Sequence, residues 1–136
     1  NLEAASKAIA DLGYATTGAP TAAKDLFVAD IAKVGVAGAT TITAGFAAGD
    51  ELFIGTQYKF GGATYATHTV ADLFTKGSAS ALEVYFQQDG ANTIVHVEAK
   101  AFANAAAVPA ADIAQITLTG VTASTLTFEN GFVHVA

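Results

Sequence analysis

The sequence predicts a mostly β single domain, a β-sandwich or β-roll, on three observations. Apolar residues recur with period two through much of the chain, turn signals punctuate it roughly every 8–12 residues, and β-branched side chains fill the intervals. With 136 residues the chain is long enough to bury one core without staples. Cysteine is absent, so disulfides, thiol catalysis and cysteine-ligated metals are excluded.

Residues 2–12 are expected to form a short N-terminal helix, because Leu2, Ala5, Ile9 and Leu12 share a face and Asn1 can cap it. Gly13 ends the helix and the run to Pro20 is turn-like. Residues 1–24 therefore predict a helical arm, able to span about 30 Å or more if extended, and residues 25–136 the β domain. Strands are expected over residues 26–31, 40–43 and 51–54, the last two separated by a turn from Gly45 to Asp50. Residues 55–69 are rich in glycine, threonine and tyrosine and follow no period. Thr69 and Asp72 have the spacing of a helix start, which predicts one small internal helix to about Thr75. Residues 82–88 and 93–100 flank Asp89-Gly90-Ala91-Asn92 and predict a β-hairpin. After an alanine-rich loop with Pro109, residues 113–119 alternate, a turn occupies 121–126, and strands at 127–128 and 132–135 close the pattern.

Twelve acidic residues stand against six basic ones, all lysine, for a net charge of −6. Nucleic-acid binding needs a basic footprint, and readout of phosphate and guanine leans on arginine; neither is present. Charged residues make up only 13%, about half the usual quarter. The surface this implies is neutral, small and rich in hydroxyls. Two readings fit it: a plain alanine and threonine bias, or a surface that packs against copies of itself. No segment reaches the ~18 apolar residues of a membrane span. The chain begins at Asn1, contains no methionine and shows no leader pattern, which suggests a processed chain or part of a longer protein.

Four phrases occur in order: Asp25-Leu26-Phe27-Val28, residues 40–52 (TTITAGFAAGDEL), Asn92-Thr93-Ile94-Val95-His96-Val97, and residues 116–126 (ITLTGVTASTL). Together they resemble the C-terminal module of repeats-in-toxin proteins exported by type I secretion, found on bacterial S-layer proteins, adhesins and secreted hydrolases. The resemblance covers roughly residues 25–135. It implies a β-roll or β-sandwich cap, an extracellular or cell-surface location, and an export signal that includes the apolar C-terminus. The calcium-binding nonapeptide repeats of that family are absent, and Ala44-Gly45 stand where relatives carry an aspartate before the aromatic.

Candidate calcium ligands are Asp25, Asp30, Asp50 and Glu51, hard oxygen donors near strand ends, whose plainer reading is solvated turn acids. Tyr58, Tyr65 and His68 share the irregular 55–69 stretch and could form a contact surface for a sugar or a neighbouring subunit. His96 falls on the same side of its strand as Ile94 and Glu98 and is expected to face solvent or pair with Glu98. No serine sits in a nucleophile elbow, no glycine pair is followed by the lysine of a phosphate loop, and no pair of carboxylates stands out. The expectation is a non-enzymatic extracellular structural subunit that assembles with copies of itself into a surface layer or filament. The alternatives are an adhesin module binding cell-surface glycans, or a passive secretion cap on a larger exoprotein.

Overall fold

A period-two segment becomes a strand when one of its faces finds an apolar surface to rest on. The computed structural model describes residues 10–11, 17–18, 24–29, 39–42, 45–64, 78, 80–101 and 113–136. In chain order the strands are β1 (Ala10–Asp11), β2 (Thr17–Gly18), β3 (Leu26–Val28), β4 (Ala39–Ile42), β5 (Glu51–Phe53) and β6 (Tyr58–Thr64). They are followed by β7 (Leu82–Asp89), β8 (Asn92–Glu98), β9 (Ile113–Leu118), β10 (Leu126–Glu129) and β11 (Phe132–Val135). They build two mixed sheets, one five-stranded in the order β1-β3-β5-β11-β10 and one six-stranded in the order β2-β4-β9-β8-β7-β6. The result is a mostly β, sandwich-like fold, as the alternating pattern predicts.

The N-terminal expectation needs correction. Ala10 and Asp11, placed by the sequence pattern in the last turns of a helix, instead pair in parallel with Phe27 and Val28. Thr17 and Gly18 likewise pair with Thr41 and Ile42. Helix propensity is worth only tenths of a kcal/mol per residue, and pairing with a formed strand overrides it. Residues 1–9 and the helix expected near residues 69–75 lie outside the described residues. Among the described residues the helical element is a single 3-10 turn, Ala123–Thr125. None of their helices is long and apolar enough to cross a membrane.

Two hairpins set the register of the central strands. The β7–β8 turn places Gly90 at φ +59° between the paired residues Asp89 and Asn92, the primed geometry that matches the right-handed strand twist. The β10–β11 turn has Asn130 at +52° and Gly131 at +87° between Glu129 and Phe132. An Asn-Gly pair with both residues at positive φ is the strongest short hairpin signal, yet the sequence pattern around it predicts only two separate short strands. The first hairpin is anchored to the 120–123 loop. Asn92 Oδ1 accepts from Gly120 N–H at 3.0 Å, Thr93 Oγ1 donates to the Val121 carbonyl at 2.7 Å, and Gln88 Oε1 accepts from Ala123 N–H at 2.7 Å.

The core lies between the sheets. Phe27, Leu52, Leu126 and Val133 from the five-stranded sheet meet Ile42, Val84, Phe86, Val95, Val97, Ala114, Ile116 and Leu118 from the six-stranded one. Each fully buried aliphatic or aromatic side chain contributes about 1.5–3 kcal/mol relative to an exposed one. The register puts Val84 opposite Val97 and Phe86 opposite Val95, so these pairs share the inner face. By the same alternation Glu83, Tyr85 and Gln87 share the outer face with Ile94, His96 and Glu98. That face holds the site described next.

Candidate functional site

Where β7 meets β8, the outer face of the six-stranded sheet is not a solvated one. Tyr85, His96 and Glu98 are fully buried, and Glu83 is 9% exposed. Polar side chains on an outer face normally meet water; buried ones must satisfy each other, because an uncompensated buried acid costs several kcal/mol.

Here they do so through a clasp across the β7–β8 pair. The Tyr85 hydroxyl donates to Glu83 Oε2 at 2.7 Å and reaches Glu98 Oε1 at 3.2 Å. Glu98 Oε2 accepts from the Glu83 backbone N–H at 2.8 Å. Glu83 Oε2 also accepts from the Ser78 backbone N–H at 2.8 Å, which draws the segment before β7 onto the cluster. Glu83 and Tyr85 meet because they are two residues apart on one strand, and Glu98 reaches them from the antiparallel neighbour. The bulge between Phe60 and Gly62 in β6 leaves Gly61 directly over the Tyr85 ring, where a Cβ would collide with it.

The electrostatics follow from this burial. Loss of water pushes the Glu98 carboxyl up to about 7, against the Glu83 N–H and Tyr85 hydroxyl bonds that favour its ionised form, while the Glu83 charge adds to the rise. Burial also raises the Tyr85 phenol well above its ordinary range, with Glu83 and Glu98 adding to the effect. His96, beside Tyr85 in register, is pushed down to about 4 by burial, so its imidazole is neutral at physiological pH. Its Nε2 lies 2.8 Å from Gln87 Oε1. The expectation that His96 faces solvent or pairs with Glu98 is therefore corrected: it is buried, and its Nε2 bonds to Gln87 on the neighbouring strand.

A carboxyl that titrates near neutrality has the property a general acid or base needs. In this cluster, however, both Glu98 oxygens are engaged by protein groups in the interior. What the arrangement provides is a set of internal hydrogen bonds that tie the start of β7 to β8.

The sequence-derived candidates fall elsewhere. Asp25 and Asp50 are buried and adjacent, while Glu51 is exposed. Asp50 Oδ1 accepts from Asp25 N–H at 2.9 Å and Oδ2 from Ala47 N–H at 2.8 Å, so this carboxylate pins the 45–49 turn to the start of β3. Glu51 N–H donates to the Asp25 carbonyl at 2.9 Å. Among the described residues no group of three or more His, Asp or Glu side chains is placed to hold a metal ion. Asp30 lies outside the described residues. Tyr58 opens strand β6 and joins the core, which removes its ring from any flat contact surface; Tyr65 and His68 lie outside the described residues. The exposed large apolar side chain of this stretch is instead Phe60, 47% exposed on β6, with its ring 5.0 Å from that of Phe86.

Sequence reasoning misses Glu83, Tyr85 and Glu98 as a unit. One signal for it exists: Val84-Tyr85-Phe86 is a run of bulky residues with no polar interruption, the mark of a strand covered on both faces. No known protein-family model matches this chain, and no curated protein sequence matches it.

Proposed function

We propose that the chain is a non-enzymatic, secreted bacterial surface protein that packs against copies of itself in a surface layer or extracellular filament. The observation that carries this reading is Phe60: a large apolar ring, 47% exposed, on the outermost strand of the six-stranded sheet. It stands on a chain whose charged residues make up only 13%. Lys59 and the β6 bulge are devices that discourage an added strand, so the contact runs through the ring and the small side chains around it rather than through backbone pairing.

Magnitudes favour repetition over a single tight dimer. Burying one such ring contributes about 1.5–3 kcal/mol, short of the ~4 kcal/mol of even a millimolar complex. Many weak contacts repeated in a lattice reach what one contact does not. The likeness of residues 25–135 to modules exported by type I secretion supports the extracellular placement. The internal pairing of Glu83, Tyr85 and Glu98 supports a structural rather than a catalytic role for Glu98.

Sedimentation velocity over a wide concentration range, with electron microscopy of the concentrated sample, tests the proposal with calcium added and with calcium chelated. Higher-order species that disappear in Phe60→Glu are expected. A strictly monomeric protein under both conditions overturns the proposal.

A further inference from the structure

The Glu83–Tyr85–Glu98 cluster has a consequence separate from assembly. A phenol carries one hydrogen, and in this cluster its oxygen lies within reach of two carboxyl groups. The shorter contact, 2.7 Å to Glu83 Oε2, takes the phenolic hydrogen. One phenolic hydrogen cannot fully serve two carboxylates, so the 3.2 Å contact to Glu98 Oε1 is the weaker share of it unless Glu98 carries a proton of its own. With Glu98 and Glu83 both ionised, two carboxylate charges compete for that one hydrogen where water is excluded.

We propose that this cluster is a proton-operated clasp: one carboxyl proton, held between Glu98 and Tyr85, closes the start of β7 onto β8, and its release loosens that junction. The bonds at stake are Glu83 N–H to Glu98 and Ser78 N–H to Glu83. Because Glu83 is also the register partner of Lys59, the loosening extends to the pairing of β6, the outermost strand.

Among the described residues, the charged and titratable groups around the clasp come from each neighbouring element. His96, on β8, is held neutral by burial. Lys59 on β6 and Lys100 just past β8 are exposed, so solvent screens them. On β9 the outward residues Ile113 and Gln115 carry no charge. None of these replaces the missing proton, and the burial that raises Glu98 to about 7 places the transition near neutrality.

The experiment is a carboxyl 13C NMR titration of the wild-type protein, combined with amide exchange corrected for intrinsic rate. A glutamate carboxyl assigned to Glu98 is expected to titrate near neutral pH, more than a hundredfold in proton affinity above an ordinary glutamate. The protection of the Glu83 and Ser78 amides should fall at least severalfold across the same transition. In Glu98→Gln, which supplies a permanent donor, that protection should no longer respond to pH. Ordinary carboxylate titration of both Glu83 and Glu98 overturns the proposal, as does amide protection that ignores the transition in the wild type. The wild-type readouts stand even if a variant does not fold, and neither depends on whether the protein assembles.

Discussion

On the five-stranded sheet the outer face carries Glu51, Phe53, Thr127, Phe132 and His134, each exposed or half-buried. On the six-stranded sheet the part of the outer face where β7 meets β8 carries Glu83, Tyr85, His96 and Glu98, all buried. Both faces hold a histidine bonded to a neutral side chain. His134 Nε2 lies 2.8 Å from Thr127 Oγ1, and His96 Nε2 lies 2.8 Å from Gln87 Oε1. The bonds are alike and the surroundings are not. Water sets the difference: a polar face that keeps its solvent needs no special arrangement, whereas one that loses it must pair its own groups and surrender some of their charges.

The largest test of this contrast is truncation. Tyr85→Ala removes a fully buried ring and leaves two carboxyls facing a gap, for an expected loss of about 3–5 kcal/mol in urea unfolding. Phe132→Ala, on the half-buried outer face, should lose about 1–2 kcal/mol. Equal losses would erase the distinction between the faces.

Crowding gives a second, smaller test. Gly61→Ala presses a methyl group into the Tyr85 ring and should destabilise by about 2 kcal/mol while raising exchange at the Glu83 amide. A neutral effect would mean the ring has room to move.

Removing a single hydroxyl sharpens the point. Tyr85→Phe leaves buried carboxyl oxygens without their donor and should lose about 1–2 kcal/mol. Thr127→Val, which removes the hydrogen-bond partner of a solvent-touched His134, should change stability by no more than about 0.5 kcal/mol.

The pH profile is the most delicate comparison, because two buried groups oppose each other. Glu98 rises from its ordinary 4.5 to about 7, so its contribution is present below pH 4.5 and is lost as pH rises to 7. His96 falls from 6.5 to about 4, so its contribution is present above pH 6.5 and is lost as pH falls to 4. In the wild type the two slopes largely cancel between them. Glu98→Gln should expose the histidine slope, with stability falling on acidification. His96→Gln should expose the carboxyl slope, with stability falling as pH rises; each amounts to on the order of 1 kcal/mol. Variants with parallel profiles would break the assignment.

Much of the fold is legible in the alternation of particular strands. Ile113, Gln115 and Thr117 against Ala114, Ile116 and Leu118 read directly as β9, and the Asp89–Asn92 turn reads as the hairpin it forms. Strand β6 hides because Gly61 and Gly62 sit at its bulge, where the period is interrupted and no side chain marks a face. The strand at Ala10 hides because alanine-rich sequence favours helix locally, and only the distant partner Phe27 decides otherwise. The clasp is the least legible part. A glutamate on a strand ordinarily marks a solvated face, and the one local hint that water is excluded from this face is the unbroken run Val84-Tyr85-Phe86.

The central claim is that the outer face of the six-stranded sheet, where β7 meets β8, is an interior. Ring-proton NMR signals of His96 and His134, recorded while a soluble paramagnetic agent is added, test it most directly. Strong broadening of His134 with His96 left sharp is the expected result. Comparable broadening of both histidines would place that face in water and contradict the account.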